Sequence, residues 1–228
     1  MYFGHYALAA AIRAKKPGLP LVPVVVGVGL LDILNAIFVL VGIETVKPDP
    51  AALPYIYFDL SFVDWDHSLL MAGVWSVLWA AIFLRRRGVA LLAGLAVFSH
   101  FLLDWPMHGP DLALFPHSTR HLGLGLWGRL GPWSWGLEVL FSAALLTYSW
   151  IKDAERGRRA AWPTLLIALL AILLSPWLSP MQWAAQLQEP AAHLAYGGLL
   201  LAGYVPLGLL VWLYARQSGT GSLSGGSR

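Results

Sequence analysis

Cysteine is absent from the 228 residues, and charge is scarce, with 12% of positions Asp, Glu, Lys or Arg. Without thiols the chain forms no disulfide, zinc finger or iron–sulfur cluster. A soluble domain carries about 25% charged residues, so the low charge argues against that class. A nucleic-acid surface is excluded as well. The formal net charge of +3 comes from basic residues gathered at the ends of apolar runs, where they act as topology signals. No cleavable leader is expected, because the apolar stretch before Arg13 is short and lacks a basic start. "GVGLLD" is no phosphate loop, since it has no lysine and lies inside an apolar run. The inverted repeat that marks many transporters is also missing.

What the chain has in quantity is apolar residues, 58% of the total, with 12 Trp. They fall in long blocks, the pattern of a helical membrane protein. Crossing the hydrocarbon takes roughly 20 residues. Six stretches meet that length: 20–43, 68–84, 88–105, 133–151, 162–182 and 193–215. The expected fold is therefore all-α and polytopic, six transmembrane helices preceded by a short N-terminal helix. It forms one domain over 1–216, with a Gly/Ser-rich flexible tail at 217–228. Basic residues sit at Arg13/Lys15/Lys16, Arg85–Arg87, Lys152/Arg156/Arg158/Arg159 and Arg216. These are alternate ends of successive spans, which places those loops in the cytoplasm and the loops 45–66, 106–132 and 183–192 outside. Trp65, Trp105, Trp133, Trp135 and Trp183 lie near the outer ends, as in an interfacial aromatic belt.

Depth can be counted from the basic ends, since a helix rises about 1.5 Å per residue. His100 then lies about 20 Å above Arg87, Asp104 about 25 Å, and Asp32 about 20 Å above the start of its span. His5 reaches roughly 15 Å, Glu138 about 21 Å and His67 about 27 Å. In a core about 30 Å thick, all of these fall between the midplane and the outer surface. An Asp at the centre of a membrane helix costs about 2.5–3.5 kcal/mol, so Asp32 and Asp104 must face a partner, a cation or water. Asn35 extends the polar face of Asp32. One outward-opening polar cavity accounts for the whole set.

His100 and Asp104, at i and i+4, present two ligands on one helix face. His67, Asp32 and His5 close the site from neighbouring helices. Nitrogen and oxygen donors without thiolate suit Zn²⁺, Mn²⁺ or Fe²⁺. Some polar residues have simpler explanations. A lone membrane histidine bonded to a neighbour is common, and His5 by itself reads equally well that way. His108, His117 and His121 follow Pro106 in a glycine-rich loop and read as solvated, although His108 extends the stripe. His193 reads as structural, and Asp64 and Asp66 as a wet helix N-terminus.

At these residues the chain resembles a bacterial inner-membrane family of metal-dependent hydrolases that includes a LexA-regulated member. The matching segments are Gly4-His5, "GVGLLDILN" with Asp32, "DHSLL" with His67-Ser68, and "SHFLLD" with His100 and Asp104. A closer likeness is to membrane proteins labelled permeases, through "HSLL", "SHFLLDWPMHGPDLALFP" and "LGLGLW". The match covers about residues 4–140. Leu31 stands where the family has proline, and the second aspartate and first histidine of its longer motifs have no counterpart.

Three functions follow as expectations. The first is a metal-dependent hydrolase at the outer leaflet, acting on a phosphoester or other lipid-linked or small-molecule substrate, with membrane lipids as its surroundings. His67, His100, Asp104 and Asp32 are then metal ligands, His5 completes or supports the shell, and Asp66 or Glu138 is the general base. The second is a metal-ion or proton-coupled transporter. The third is a non-catalytic metal- or lipid-binding membrane protein.

Overall fold

A computed structural model of the chain describes residues 1–52, 54–158 and 161–219. Arg159 and most of the expected tail, 220–228, lie outside the described residues. The fold is helical, with one small hairpin.

Helix α1 (Tyr2–Lys15) is rich in alanine and buried almost all round, through Ala7, Ala9, Ala10 and Ala14. Small side chains let it run close and parallel to α8 (Pro132–Ala154). Three contacts follow that direction: Gly4 N–H to Glu138, Ser149 Oγ to the Ala10 carbonyl, and Arg13 to Asp153. The buried positions of α8 form a polar seam, with Ser134, Glu138, Ser142, Ser149 and Asp153 on the face toward α1.

Helices α2 (Leu21–Gly27) and α3 (Leu30–Leu40) are two halves of one apolar stretch, bent by 55° at Val28-Gly29. The hairpin β1 (Thr45–Pro48) and β2 (Phe58–Phe62) follows, antiparallel with Lys47 opposite Asp59. The short α4 (Asp64–His67) leads into α5 (Leu69–Ala81), where the Ser68 hydroxyl accepts the Met71 N–H as a cap. In α6 (Arg87–Asp104), Ala90, Ala93, Val97, His100 and Asp104 share one buried face. Leu91, Leu95 and Leu102 point outward.

The loop after α6 folds back on the bundle. Its Ala113 and Leu114 carbonyls accept the first N–H groups of α5. It ends in α7 (Leu126–Leu130). Helices α9 (Ala161–Leu173), α10 (Pro180–Ala184), α11 (Ala191–Ala202) and α12 (Val205–Gly219) complete the bundle. Gly197 lets α11 approach α3: a Cβ there would stand 2.6 Å from Leu40 Cγ.

Among the described residues two helical stretches, Arg87–Asp104 and Ala191–Trp212, are long and apolar enough to cross a membrane, and α2 with α3 makes a third if the bent pair counts as one span. The expected count was six. Stretch 68–84 is helical only to Ala81, and 162–182 breaks after Leu173 ahead of Pro176. Stretch 133–151 extends into a 23-residue helix carrying Glu138, Lys152 and Asp153. The last helix continues to Gly219, three residues into the expected tail. Apolar side chains cover much of the exterior, including Val77, Leu140, Leu165 and Val205. Of the five expected belt tryptophans, Trp65, Trp105, Trp133 and Trp183 are exposed. Trp135 instead turns inward and donates to the Ala171 carbonyl.

Candidate metal centre

The bend between α2 and α3 does two things for the site. It puts Asp32 in the first turn of α3, and it presents the Val28 carbonyl to His100, whose Nδ1 lies 2.7 Å away. A carbonyl only accepts, so Nδ1 carries the proton and Nε2 of the neutral ring is a lone pair. That lone pair points into the cluster, 3.0 Å from Asp104 Oδ2 and 3.6 Å from Asp32 Oδ1.

Two more imidazoles repeat the pattern. His67 Nδ1 is bonded to Asp66 Oδ1, and its Nε2 faces Asp32 at 3.6 Å and Asp104 at 3.8 Å. His108 Nδ1 is bonded to Asp111 Oδ2, and its Nε2 lies 3.7 Å from Asp104 Oδ2. Each ring is thus oriented by an acceptor behind it, as metal-bound histidines are. His5 stacks on His100 with ring centroids 3.8 Å apart, and its Nε2 is 3.2 Å from Asp104 Oδ1. The terminal amine of Met1 also contacts Asp104 Oδ1.

The donor set fits a cation. Both nitrogens of His5 and Nε2 of His100 are buried without a hydrogen bond among the described residues. An unprotonated Nε2 facing a carboxylate oxygen sets two acceptors together, which repel unless a positive charge lies between them. Ligand atoms from His5, Asp32 and His100 lie within 4.8 Å of one another, as do those from His67, His100 and Asp104. The buried His and Asp groups could therefore hold a metal ion.

All five residues expected as ligands meet here, from α1, α3, α4 and α6. A sixth, His108, joins them, although its position after Pro106 in a glycine-rich loop predicts a solvated residue. The chain keeps turning past Asp104, whose carbonyl accepts the His108 N–H at 2.9 Å, so the i, i+4, i+8 stripe survives Pro106. His117 and His121 are exposed, as expected. His193 is away from the cluster and bonds the Val39 carbonyl through Nε2.

The two expected bases hold other groups in place. Asp66 orients His67. Glu138 accepts from the Gly4 N–H at 3.0 Å and the Tyr55 hydroxyl at 2.7 Å. Neither lines the cavity described next.

Behind Asp66 stands Glu44, fully buried in the loop after α3. It accepts the Asn35 amide at 3.0 Å and the Trp65 N–H at 2.9 Å, and Asn35 in turn accepts the Tyr196 hydroxyl at 2.9 Å. Burial, with the neighbouring Asp66 carboxylate, pushes the Glu44 carboxyl up to about 10. Neutral Glu44 can donate to Asp66, whose Oδ2 otherwise has no partner. The unfolded carboxyl ionises near 4.5 and the folded one near 10. Between those values the folded chain holds the extra proton, so stability falls as pH rises. In Glu44→Gln this decline should flatten, as measured by thermal unfolding across pH 5 to 10. Burial would also raise Asp111, but the His108 imidazole and the Gly109 N–H hold its carboxyl below the ordinary range.

A cavity of about 260 Å³ opens on the cluster. Asp32, His67, Asp104 and His108 form one wall, and residues of α9, α10, α11 and α12 form another. Comparison with protein-family models, curated proteins and solved structures finds no match.

Proposed function

We propose that the chain is a membrane-embedded, metal-dependent hydrolase acting on a phosphoester or other lipid-linked substrate. The observation that carries this reading is the convergence of three imidazole Nε2 atoms, each ring fixed from behind, on two carboxylates beside a cavity. In the same reading the apolar exterior faces lipid, the shorter helices complete a six-span bundle in a bacterial inner membrane, and the basic ends are cytoplasmic. The resemblance in "GH", "DHSLL" and "SHFLLD" supports this reading.

His67, His100, Asp104 and Asp32 would hold the ion, Zn²⁺, Mn²⁺ or Fe²⁺, with His5 and His108 completing the shell. Such an ion polarises an ester and lowers the pKa of bound water toward neutrality. Asp32 is the most open of the cluster carboxylates, with its side chain 17% exposed against 2% for Asp104. In this reading its Oδ1, which faces His67 and His100, holds the ion, and its other oxygen accepts the proton of the attacking water. The water oxygen bonds to the phosphorus or acyl carbon, the ester bond breaks, and the proton passes from Asp32 to the leaving oxygen. Asp66 and Asp111 keep the imidazoles aimed throughout.

The test is lipid hydrolysis by metal-replete protein in phosphatidylethanolamine/phosphatidylglycerol nanodiscs, followed by mass spectrometry and phosphorus NMR. Wild type should release a headgroup product, and Asp32→Asn should lower the rate at least a hundredfold, within the range for losing an acid–base group. Intact lipids together with metal counterflow in proteoliposomes would assign the site to transport instead.

A further inference from the structure

The cavity beside the cluster has two unlike parts, and together they describe a ligand. Its inner part is lined by Leu170, Leu173, Leu174, Met181, Leu199 and Leu200. These residues belong to α9, α10 and α11, or in the case of Leu174 directly follow α9, in a region whose sequence carries no chemical motif. Leu173 and Ala202 line the cavity and are also exposed on the exterior. The cavity therefore reaches accessible residues at the ends of α9 and α11, and Ile172, Leu194 and Val205 are exposed apolar side chains of α9, α11 and α12.

Toward the hairpin the same cavity meets a second, wider one, with Ile56, Leu60 and Trp127 common to both. That second space has Lys47, Asp59, Ser61 and Arg129 on its walls among apolar residues such as Phe58 and Leu60, and it also touches Asp111 behind His108. The cluster thus lines the apolar chamber, while Asp111, which holds the His108 ring, lines the neighbouring vestibule with the charged walls.

We propose that the ligand is a single-chain-threading amphiphile of the membrane, in which one hydrocarbon chain enters between α9 and α11. The chain occupies the leucine chamber, the polar headgroup occupies the vestibule, and the bond between them lies at the cluster. This rests on the hydrolase reading and names the substrate class of the same site. A wholly polar molecule would have to leave water for an apolar chamber that offers its groups few partners. A wholly apolar molecule would leave the charged vestibule and the cluster unused. At about 260 Å³ the chamber is below the roughly 300–1,000 Å³ of drug-sized pockets. That size suits one flexible chain, with the rest of a longer tail continuing through the side opening into surrounding lipid.

The experiment uses the full chain in phosphatidylethanolamine/phosphatidylglycerol nanodiscs doped with a phosphatidylglycerol whose acyl chain carries a diazirine. Irradiation and peptide mass spectrometry then locate the adducts, and bound metal is measured on the same sample. Adducts should concentrate on 170–174 and 199–202. They should fall at least tenfold in Leu199→Trp, which fills the chamber, and in Leu173→Trp, which blocks the side opening from an exposed position. Metal content should not change in either variant. Adducts spread evenly over exterior residues such as Val77 and Leu91, or unchanged by both variants, would overturn the proposal. Chamber adducts on a protein that binds no metal would remove the hydrolase reading and leave the lipid chamber standing.

Discussion

Asp104→Asn should strip the protein of its divalent ion. This carboxylate is the common neighbour of the cluster: His5, His67, His100 and His108 each place Nε2 within 3.8 Å of one of its oxygens. Replacing one oxygen by an amide removes a negative charge and puts two N–H donors among lone pairs. Imidazoles alone would then have to hold the ion with only Asp32 to balance it. Because removing even an outer-shell partner costs 10- to 100-fold in affinity, losing this ligand should cost at least a hundredfold. The measurement is bound metal per protein after dialysis, with circular dichroism as the check on fold. Retention of wild-type affinity would show that Asp104 is a structural staple.

The second large effect lies at the far end of α1 and should leave metal affinity alone. Arg13 and Asp153 are both buried, with Nη1 and Oδ2 2.5 Å apart, and the guanidinium sits 4.2 Å over the Tyr214 ring. Arg13→Met leaves the Asp153 charge in place without this partner, and breaking a buried pair from one side costs about 3–5 kcal/mol. The double variant Arg13→Met/Asp153→Leu removes both charges and should recover most of the loss. Thermal unfolding in a mild detergent measures both. If the single variant is as stable as wild type, the pair does not lock α1 to α8.

The site was legible in the sequence to the extent that depth and helical periodicity determine it. His5, Asp32, His67, His100 and Asp104 lie on four separate helices, yet counting residues from the basic ends sets all of them between the midplane and the outer surface. His108 was lost because Pro106 reads as a helix stop, whereas a proline just past the last turn removes only an N–H that nothing there requires. The "HGPD" spacing was the available signal, since Asp111 is the carboxylate that fixes the His108 ring. Asp66 and Glu138 were visible as acids at the right depth, but periodicity does not say which way a carboxylate turns. Each faces a donor behind the site. The chamber had no signature, because leucines that line a cavity and leucines that face lipid are the same letters. Two or three of the six expected spans stand out as long apolar helices for a related reason: hydropathy measures apolar length, while prolines and local charges decide where a helix ends.

The central claim is that these side chains bind a divalent ion. The direct measurement is X-ray absorption spectroscopy on wild-type protein purified after metal-replete expression, together with elemental analysis. The account predicts a stoichiometric ion with mixed imidazole-nitrogen and carboxylate-oxygen ligands at about 2.0–2.2 Å, and its loss in Asp104→Asn. A metal-replete protein that carries no ion, or one whose ion stays when Asp104 is replaced, would contradict it.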